Sequence, residues 1–554
     1  MTSLKLKSPV VKKIPALIFL LRVLFFLWPV LVARAAAPAA SSPNILVIYT
    51  DDQGYGDMSA LNPQSKFQTP HLDRLAREGL LFTDGHSADT VCTPSRYALL
   101  TGRYSWRTYL KQGVLHAEGD GLISRDRLTV ASLLKAQGYR TAMFGKWHLN
   151  MKFPGSVGQR DWSQPITDGP NDHGFDDYFG IPASMNYGVL TFIENNRVTD
   201  PPTLWTNKKP DAQQNTFRFK PPYNPQRLQP DDIEVAPSFR DDICLKICTE
   251  KAVDYIARHA AEAKSGHPFF IYLALNSPHL PHCASPEFAG QSHVGAYGDF
   301  MLETDHRVGQ VLAALDRHGL TRDTLVFQSS DNGGETGYTE RAQKYQHASN
   351  GELRGGKRDI YEGGHRVPFV MRWPAVIKPG RTCAEPVGQV DLLATCADIL
   401  GVTLPAHAGE DSSSLLPALR GDDYPRPLRG PLIHHSGSGY FAIREGPWKL
   451  TLFRGSGGTQ APRFIEPKLG EPAGELYDMT NDWRETNNLC AHQPEIVARL
   501  QATATQIVRR GRSTPGIAQP NDGPSLWPQL TWMPEATDPN VPAAKNSKKK
   551  KTAK

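Results

Sequence analysis

The sequence lacks an Asn-x-Ser/Thr glycosylation site and, away from its two ends, any excess of positive charge. Its 554 residues contain 62 Lys and Arg against 56 Asp and Glu. Twelve of those basic residues lie in the first 35 and the last ten positions, which leaves 50 basic against 56 acidic residues in the rest. This balance argues against a nucleic-acid-binding protein. The missing glycosylation sites favour a bacterial source.

Cysteine is scarce, with seven residues in the whole chain. An odd number in an exported protein indicates a reactive or modified thiol. Cys244 and Cys248 would face the same side of a helix, but the sequence has no second Cys or His pair near enough to complete a zinc-site pattern. We therefore expect those two cysteines to be packed or disulfide-bonded.

The N-terminus has the order of a secretory signal peptide, which we place at residues 1–37. Lysines precede an apolar stretch, residues 14–32, and a run of small residues follows it. The alternative is an uncleaved anchor helix, but Arg22 and Pro29 leave only about ten clean apolar residues, fewer than a bilayer span needs. The sequence thus predicts a periplasmic or secreted protein with no stable membrane span after cleavage.

The mature chain has the alternation of strands and helices that is typical of an α/β fold. The apolar run 44–50 predicts a strand buried on both faces, and residues 268–275 and 324–330 predict two more. Helical periodicity precedes each of the later strands, over residues 246–263 and 300–318. We expect a large, mostly parallel sheet flanked by helices.

Composition changes along the chain predict its domains. Residues 38–425 are predicted to form the main domain, and the short segments with turn residues in 426–513 a smaller C-terminal α+β domain. The Pro-rich and Lys-rich residues 514–554 are predicted to be a flexible tail.

Polar side chains follow the predicted strands at the points where they end. They are Asp51, Asp52, His279, Asp331 and Asn332. Parallel strands gather their carboxyl ends at one edge of the sheet, which is where α/β proteins bind ligands. Three carboxylates and an amide oxygen form a hard, all-oxygen ligand set that suits Ca²⁺ or Mg²⁺.

The most specific pattern is Cys92-Thr-Pro-Ser-Arg96, continued to Thr101-Gly-Arg103. It resembles the signature of the sulfatase family, arylsulfatase-like enzymes of the alkaline phosphatase superfamily in which this cysteine becomes formylglycine. Further segments match in the family's order, among them Lys146-Trp-His148, Ser277-Pro-His279, Ser330-Asp331-Asn332 and Gly355-Gly-Lys357. The resemblance extends over residues 43–490. His71 and His365 depart from the usual residues but lie outside the catalytic positions.

The resemblance implies a role for each matching residue. One Ca²⁺ would be held by Asp51, Asp52, Cys92, Asp331 and Asn332. The positive charges around the sulfate would come from Arg96, Lys146 and Lys357. The proton carriers would be His148 and His279, since imidazole titrates near neutral pH. A formylglycine-generating maturase acting on residues 92–96 is the implied partner.

The mechanism that the family implies is double displacement. One hydroxyl of hydrated formylglycine attacks sulfur while His279 protonates the departing alcohol. His148 then deprotonates the second hydroxyl, and the aldehyde re-forms as sulfate is expelled. Natural substrates would be sulfate esters, with sulfated polysaccharides as one class.

Two alternatives stay open from the sequence. One is a phosphate or phosphonate monoester hydrolase of the same superfamily, although the sequence shows no second metal cluster for a two-metal phosphatase. The other is a catalytically silent binder of sulfated glycans, although such a protein is expected to have lost active-site residues. His282 matches no catalytic position, and lining the pocket is only the lesser of the readings open for it. We expect His365 and Arg366 to be structural or rim residues.

Overall fold

The computed structural model describes Met1 and residues 42–211, 216–335, 337–424, 426–533 and 535. The signal peptide predicted for residues 1–37 lies outside the described residues apart from Met1. From Ser42 onward the chain clusters as one compact unit.

The strands of the described residues, in chain order, are β1 Asn44–Asp51, β2 Leu80–Phe82, β3 Gly85–His86, β4 Arg140–Lys146, β5 Gly155–Ser156, β6 Gln159–Arg160, β7 Asp177–Ile181, β8 Ile193–Glu194, β9 Arg197–Val198, β10 Leu204–Thr206, β11 Lys209–Asp211, β12 Thr216–Arg218, β13 Ile233–Val235, β14 Phe269–Pro278, β15 Thr324–Ser330, β16 Phe369–Arg372, β17 Arg381–Cys383, β18 Val387–Gly388, β19 Leu432–His435, β20 Phe441–Glu445, β21 Trp448–Thr451 and β22 Glu475–Asp478. The α-helices are α1 Pro70–Glu78, α2 Cys92–Thr101, α3 Val130–Ala136, α4 Cys244–Lys264, α5 Gly295–Arg317, α6 Tyr338–Tyr345, α7 Glu362–His365, α8 Leu392–Ile399, α9 Leu416–Arg420 and α10 Pro494–Arg510.

A ten-stranded sheet, in the order β17-β2-β16-β15-β1-β14-β4-β7-β8-β9, forms the centre of the fold. Its five inner strands, from β15 to β7, pair in parallel. Antiparallel pairing begins at β16 on one side and at β8 on the other. The predicted α/β fold with a mostly parallel sheet is therefore confirmed, and β1, the apolar run 44–50, lies at its middle.

Strand β1 explains why helices cover both faces of this sheet. All eight of its residues are buried. Ile45, Val47 and Tyr49 belong to the core that α2, α3, α8 and α9 cover, whereas Leu46 and Ile48 belong to the opposite core, against α1, α4 and α5. Because successive side chains of a strand point to opposite faces, an unbroken apolar run requires a core on each side.

The C-terminal part contains a four-stranded antiparallel sheet, β19 to β22, with α10 packed on it. Apolar residues of the sheet and the helix share one core, among them Leu450, Leu476, Leu500 and Ile507. This agrees with the α+β composition predicted for the smaller part, while the boundaries at residues 425 and 513 stay predictions.

Part of the tail that the sequence predicts to be flexible packs into a core, while the flexibility of the rest stays a prediction. Trp527, Leu530 and Met533 are buried in the same core as the C-terminal sheet, and the Trp527 ring lies 6.1 Å from that of Phe441. The high proline content of this segment suggested disorder, but the segment also contains three large apolar side chains, and their burial in an available core is favourable. The lysines of residues 545–554 lie outside the described residues.

The described cysteines answer one smaller expectation. Cys244 and Cys248 are buried in α4 as free thiols and so are packed rather than disulfide-bonded. In the part of the chain that the structure describes, no helix has both the length and the hydrophobicity that a bilayer span requires.

Burial of the tail predicts the stability of two leucine variants. Leu530→Ala removes a fully buried side chain and should lower the free energy of unfolding by about 2–5 kcal/mol. Leu469, which is fully exposed, is the matched control, and Leu469→Ala should change little. Urea denaturation measures both, and equal effects would show that residues 514–533 are not part of the folded core.

Candidate active site

Two neighbouring strands deliver the predicted carboxylates to one point. Asp51 ends β1 and Asp331 follows β15, and the two strands are paired in register up to Thr50 and Ser330. Asp52 adopts a positive φ of 69°, and its backbone N–H donates to Asp331 Oδ1 at 3.1 Å. The structure therefore brings together residues that are about 280 positions apart in sequence.

Cys92 begins helix α2 beside these carboxylates. One turn further on, Arg96 donates to Asp331 Oδ2 from Nε at 3.0 Å and from Nη2 at 2.7 Å. Possible ligand atoms of Asp51, Cys92 and Asp331 lie within 4.8 Å of one another. The helix thus places the thiol and its guanidinium neighbour at the same strand ends.

Two lysines complete the ring of charge. Lys146, the last residue of β4, donates to Asp51 Oδ2 at 2.6 Å. Lys357, from the Gly-rich segment 353–357, donates to both carboxylate oxygens of Asp52, at 2.6 and 2.7 Å. Every one of these side chains is buried, so each carboxylate is compensated by a cation from another element.

Two oxygen atoms at this point have no hydrogen-bond partner among the described residues. They are Asp51 Oδ1 and Asn332 Oδ1, both buried. Asn332 Nδ2 donates a hydrogen bond to Asp52 Oδ1 at 2.8 Å. This bond fixes the orientation of the amide, and its oxygen is left free to bind a ligand. A buried oxygen without a donor is costly, and a hard cation would satisfy both. The residues therefore fit an oxygen-ligated divalent ion.

The carboxylates differ in how easily they ionise. Burial raises the pKa of Asp51, but Lys146, His279 and Arg96 outweigh it and hold that pKa well below its usual value. Burial and the neighbouring Asp51 raise the pKa of Asp331 to about 7, against the opposing effect of Arg96. A divalent cation between them would favour the ionised form of both.

The two candidate histidines point different nitrogens at the site. His148 Nε2 lies 2.9 Å from the carbonyl oxygen of Leu115 and donates to it, so the unpartnered Nδ1 is left to accept a proton. Burial, then Lys146 and Arg96, lower the pKa of His148 well below its usual value, which keeps the ring neutral. His279 donates from Nδ1 to the carbonyl oxygen of Leu280 at 2.6 Å, and its Nε2 lies 3.7 Å from Asp52 Oδ2.

Two further side chains beside this cluster were not predicted from the sequence. Tyr187 is half-buried, and its ring centroid lies 5.6 Å from that of His148. Arg358 follows Lys357 directly and is also half-buried. Both stand in irregular segments where no strand end marks them, although the positive charge next to Lys357 was a signal that the sequence contained.

Comparison with known proteins agrees with this geometry. The family profile for sulfatases matches residues 43–402. The chain belongs to the sulfatase family. It is therefore an enzyme, a hydrolase of sulfate esters.

Individual relatives cover nearly the whole chain. An N-acetylgalactosamine-6-O-sulfatase of Bacteroides thetaiotaomicron is 33% identical over 85% of this chain and 94% of its own length. Human arylsulfatase A is 33% identical over 85% of this chain and 89% of its own length. A solved structure from work on glycosaminoglycan metabolism by Bacteroides thetaiotaomicron superposes with a TM-score of 0.71 at 31% identity, covering 84% of this sulfatase and 99% of that chain.

His282 lines a cavity beyond His279 in this sulfatase. The cavity has a volume of about 380 Å³, and Tyr297, Glu335 and Arg341 also line it. Burial lowers the pKa of His282 to about 4, so the ring is neutral near pH 7. The cavity is also lined by Leu280, the residue that follows His279.

His365 is structural, as the sequence suggested, and belongs to a buried group of histidines in this sulfatase. His86, His365 and His434 approach one another closely enough to resemble a metal site. The rings of His365 and His434, however, stack in parallel, 3.8 Å apart with 10° between their planes. Stacked rings direct their nitrogen lone pairs side by side rather than to one point, so the group does not form a metal site.

Hydrogen bonds join these histidines to the C-terminal sheet. Lys449 of β21 lies 3.0 Å from His365 Nε2, and His365 Nδ1 lies 3.0 Å from His86 Nδ1. Lys449 also pairs with Glu362 at 2.9 Å and Glu485 at 2.7 Å. The segment that follows Lys357 is therefore fixed to β21 by a buried ion network. Arg366 lies at its edge, 3.4 Å from Glu362 and 3.6 Å from Asp84.

The ion network predicts a large effect for one lysine. Lys449→Met leaves Glu362 and Glu485 buried without their cation, and should lower the free energy of unfolding by about 3–5 kcal/mol. Lys468→Met, at an exposed position, is the control and should have little effect. Chemical denaturation distinguishes the two, and a Lys449→Met protein as stable as the control would refute the role of the network.

Proposed function

We propose that this sulfatase hydrolyses sulfate monoesters of carbohydrates on a formylglycine made from Cys92, with one Ca²⁺ at the strand ends. The ion would be held by Asp51, Asp52, Asp331, Asn332 and residue 92. The observation that carries the proposal is the ring of three cationic side chains around Cys92, next to two buried oxygens without donors. When bound, the ion would supply Lewis-acid stabilisation of the negative charge on the sulfate oxygens.

In this mechanism the Sγ atom of Cys92 occupies the position of the formylglycine oxygen. Oxidation of Cys92 replaces Sγ by an aldehyde oxygen on Cβ, and water adds to give two hydroxyls. One hydroxyl loses its proton to solvent and attacks sulfur as the alkoxide, while the bond between sulfur and the ester oxygen breaks. His279 acts in its doubly protonated form: Nδ1–H stays on the carbonyl oxygen of Leu280, and the Nε2 proton goes to the departing alcohol. Lys357 and Arg96 stabilise the charge that develops.

The second step regenerates the aldehyde. His148 Nδ1 accepts the proton of the remaining hydroxyl, the carbonyl re-forms, and the bond from Cβ to the sulfate oxygen breaks. The neutral state that burial imposes on His148 suits a base. Lys146 pairs with Asp51 and orients that carboxylate beside residue 92.

Cys92 is only 2% exposed in the folded chain. A maturase that acts on residues 92–96 would therefore need the chain before it folds, because α2 is buried along its length. The order of the N-terminal sequence supports export to the periplasm or the medium. Sulfated carbohydrates are the proposed substrates because the bacterial relative is named for a sulfated N-acetylgalactosamine.

The formylglycine proposal predicts the behaviour of two variants. Cys92→Ala should abolish turnover of 4-nitrophenyl sulfate, and Cys92→Ser, left unoxidised, should be sulfated at most once because it has no second hydroxyl. Cys396→Ala removes another buried thiol and should keep its activity. Rates and intact mass are measured in a host with the maturase and in a host without it. Multiple turnovers by Cys92→Ser without a maturase would refute the mechanism.

The metal proposal predicts that ion content and activity fall together. Asp331→Asn removes one carboxylate charge from the site and should weaken metal affinity by at least about 100-fold. Asp305→Asn alters another buried carboxylate, one that accepts from the backbone of α1, and should leave the ion in place. Elemental analysis is run beside the assay. Wild-type protein with stoichiometric zinc, or an Asp331→Asn variant that loses metal and keeps full activity, would overturn the assignment.

A further inference from the structure

Arg358 holds a backbone conformation that long side chains rarely adopt. Its φ is 80°, in the left-handed region. Among the described residues, five of the eight non-glycine residues with positive φ are Asp, Asn or His, which tolerate this region best. The three others are Gln346, Arg358 and Glu485.

Gln346 and Glu485 each have a structural reason for this conformation. Gln346 ends helix α6, where a left-handed residue is common, and its N–H donates to the carbonyl oxygen of Arg341. Glu485 forms the buried ion pair with Lys449. Arg358 differs from both, because its side chain makes no hydrogen bond or ion pair with any described residue. Strained residues of this kind cluster at ligand sites.

The backbone of Arg358 fixes this residue at the active site. Its N–H donates to the carbonyl oxygen of Thr90, two residues before Cys92, at 2.9 Å. Its own carbonyl oxygen accepts from the N–H of Gly437, in the turn between β19 and β20, at 2.9 Å. The residue is therefore held between the segment that leads into α2 and the C-terminal sheet.

The acid next to Arg358 in sequence is already used. Asp359 accepts hydrogen bonds from the backbone N–H groups of Gly356, Thr459 and Gln460, at 3.0, 2.6 and 2.9 Å. Asp52, the carboxylate of the catalytic cluster, accepts a hydrogen bond from Lys357. The guanidinium of Arg358 is thus a half-buried positive charge whose nearby acids have other partners.

The positive charge of Arg358 acts on the pKa of the Tyr187 hydroxyl. Burial and Cys92 raise the pKa of the Tyr187 hydroxyl, while Lys357 and Arg358 act in the opposite direction. Its ring also approaches His148, at 5.6 Å, and the exposed His116, at 5.3 Å. Tyr187 thus lies beside His148, and Arg358 is bonded through its backbone to the segment that leads to Cys92, so both residues lie at the edge of the catalytic cluster.

We propose that Arg358, with the hydroxyl of Tyr187, binds a second anionic group of the substrate, a carboxylate or a further sulfate, beside the sulfate that is cleaved. A guanidinium pairs well with both groups because its planar donors match two oxygens. The inference rests on the proposed function and narrows its substrate class to sulfated sugars that carry another negative charge.

The test compares three competitors of 4-nitrophenyl sulfate hydrolysis by the matured enzyme. They are N-acetylgalactosamine 6-sulfate, N-acetylgalactosamine 4,6-disulfate and the chondroitin 6-sulfate disaccharide, whose uronate supplies a carboxylate. We expect at least one doubly charged compound to inhibit about tenfold more tightly than the monosulfate, as one added charged contact provides. Whichever doubly charged compound inhibits more tightly shows whether the second anionic group is a sulfate or a carboxylate.

Variants of Arg358 test whether this residue causes the tighter binding of doubly charged compounds. In Arg358→Gly the ratio of inhibition constants should fall to about one, whereas Arg358→Lys, which keeps the charge but not the planar pair of donors, should give an intermediate ratio. Arg358→Gly also relieves the backbone, so its melting temperature should not fall. Gln346→Gly relieves a similar conformation away from the site and should keep the wild-type ratio.

Each outcome decides the inference. A wild type that binds the three competitors equally, or not at all, overturns it while 4-nitrophenyl sulfate turnover leaves the proposed function standing. An unchanged ratio in Arg358→Gly overturns the assignment to this residue. A matured enzyme without any sulfatase turnover refutes the proposed function instead.

Discussion

Mutual neutralisation of six buried charges is the constraint on which the rest of this structure depends. Asp51, Asp52 and Asp331 are out of contact with water, and isolated carboxylates there would be prohibitively costly. Each has its own cation, and the cations arrive from a strand, a helix and a loop. The three carboxylates and three bases cancel, so a bound divalent ion would make the site positive overall. Such a site attracts an anionic ester and stabilises charge that develops on its oxygens.

The sequence predicted that Asp51, Asp52, Asp331 and Asn332 would meet, because each lies at or directly after the end of an apolar strand, while their roles stay predictions. An unbroken apolar run such as β1 fits a strand that is buried on both faces of a sheet. Polar residues directly after such a strand lie at the carboxyl edge of the sheet. The family signature then supplied the roles of residues in between. The positions of Tyr187 and Arg358 could not be predicted in this way, because they stand in irregular segments whose path is set by tertiary contacts.

The tail and the histidine group show a second limit of sequence analysis. A Pro-rich composition favours disorder on average, but three large apolar residues pack when a surface is available, and that surface exists only in the assembled fold. His86, His365 and His434 come from segments far apart in the chain. No local pattern predicts that they would stack, nor that Lys449 would lie beside them. Both features depend on three-dimensional neighbours.

The link between Lys449 and the loop that carries Lys357 changes what counts as the catalytic unit. The family match ends at residue 402, yet Glu362 has a charge partner, Lys449, on β21, and the backbone of Arg358 is held by Gly437. A minimal enzyme made by trimming the chain to the matched region would bury an acid without its base beside the reaction centre. The C-terminal sheet thus supports the loop that carries Lys357, and transplanting it between relatives would replace that support with another.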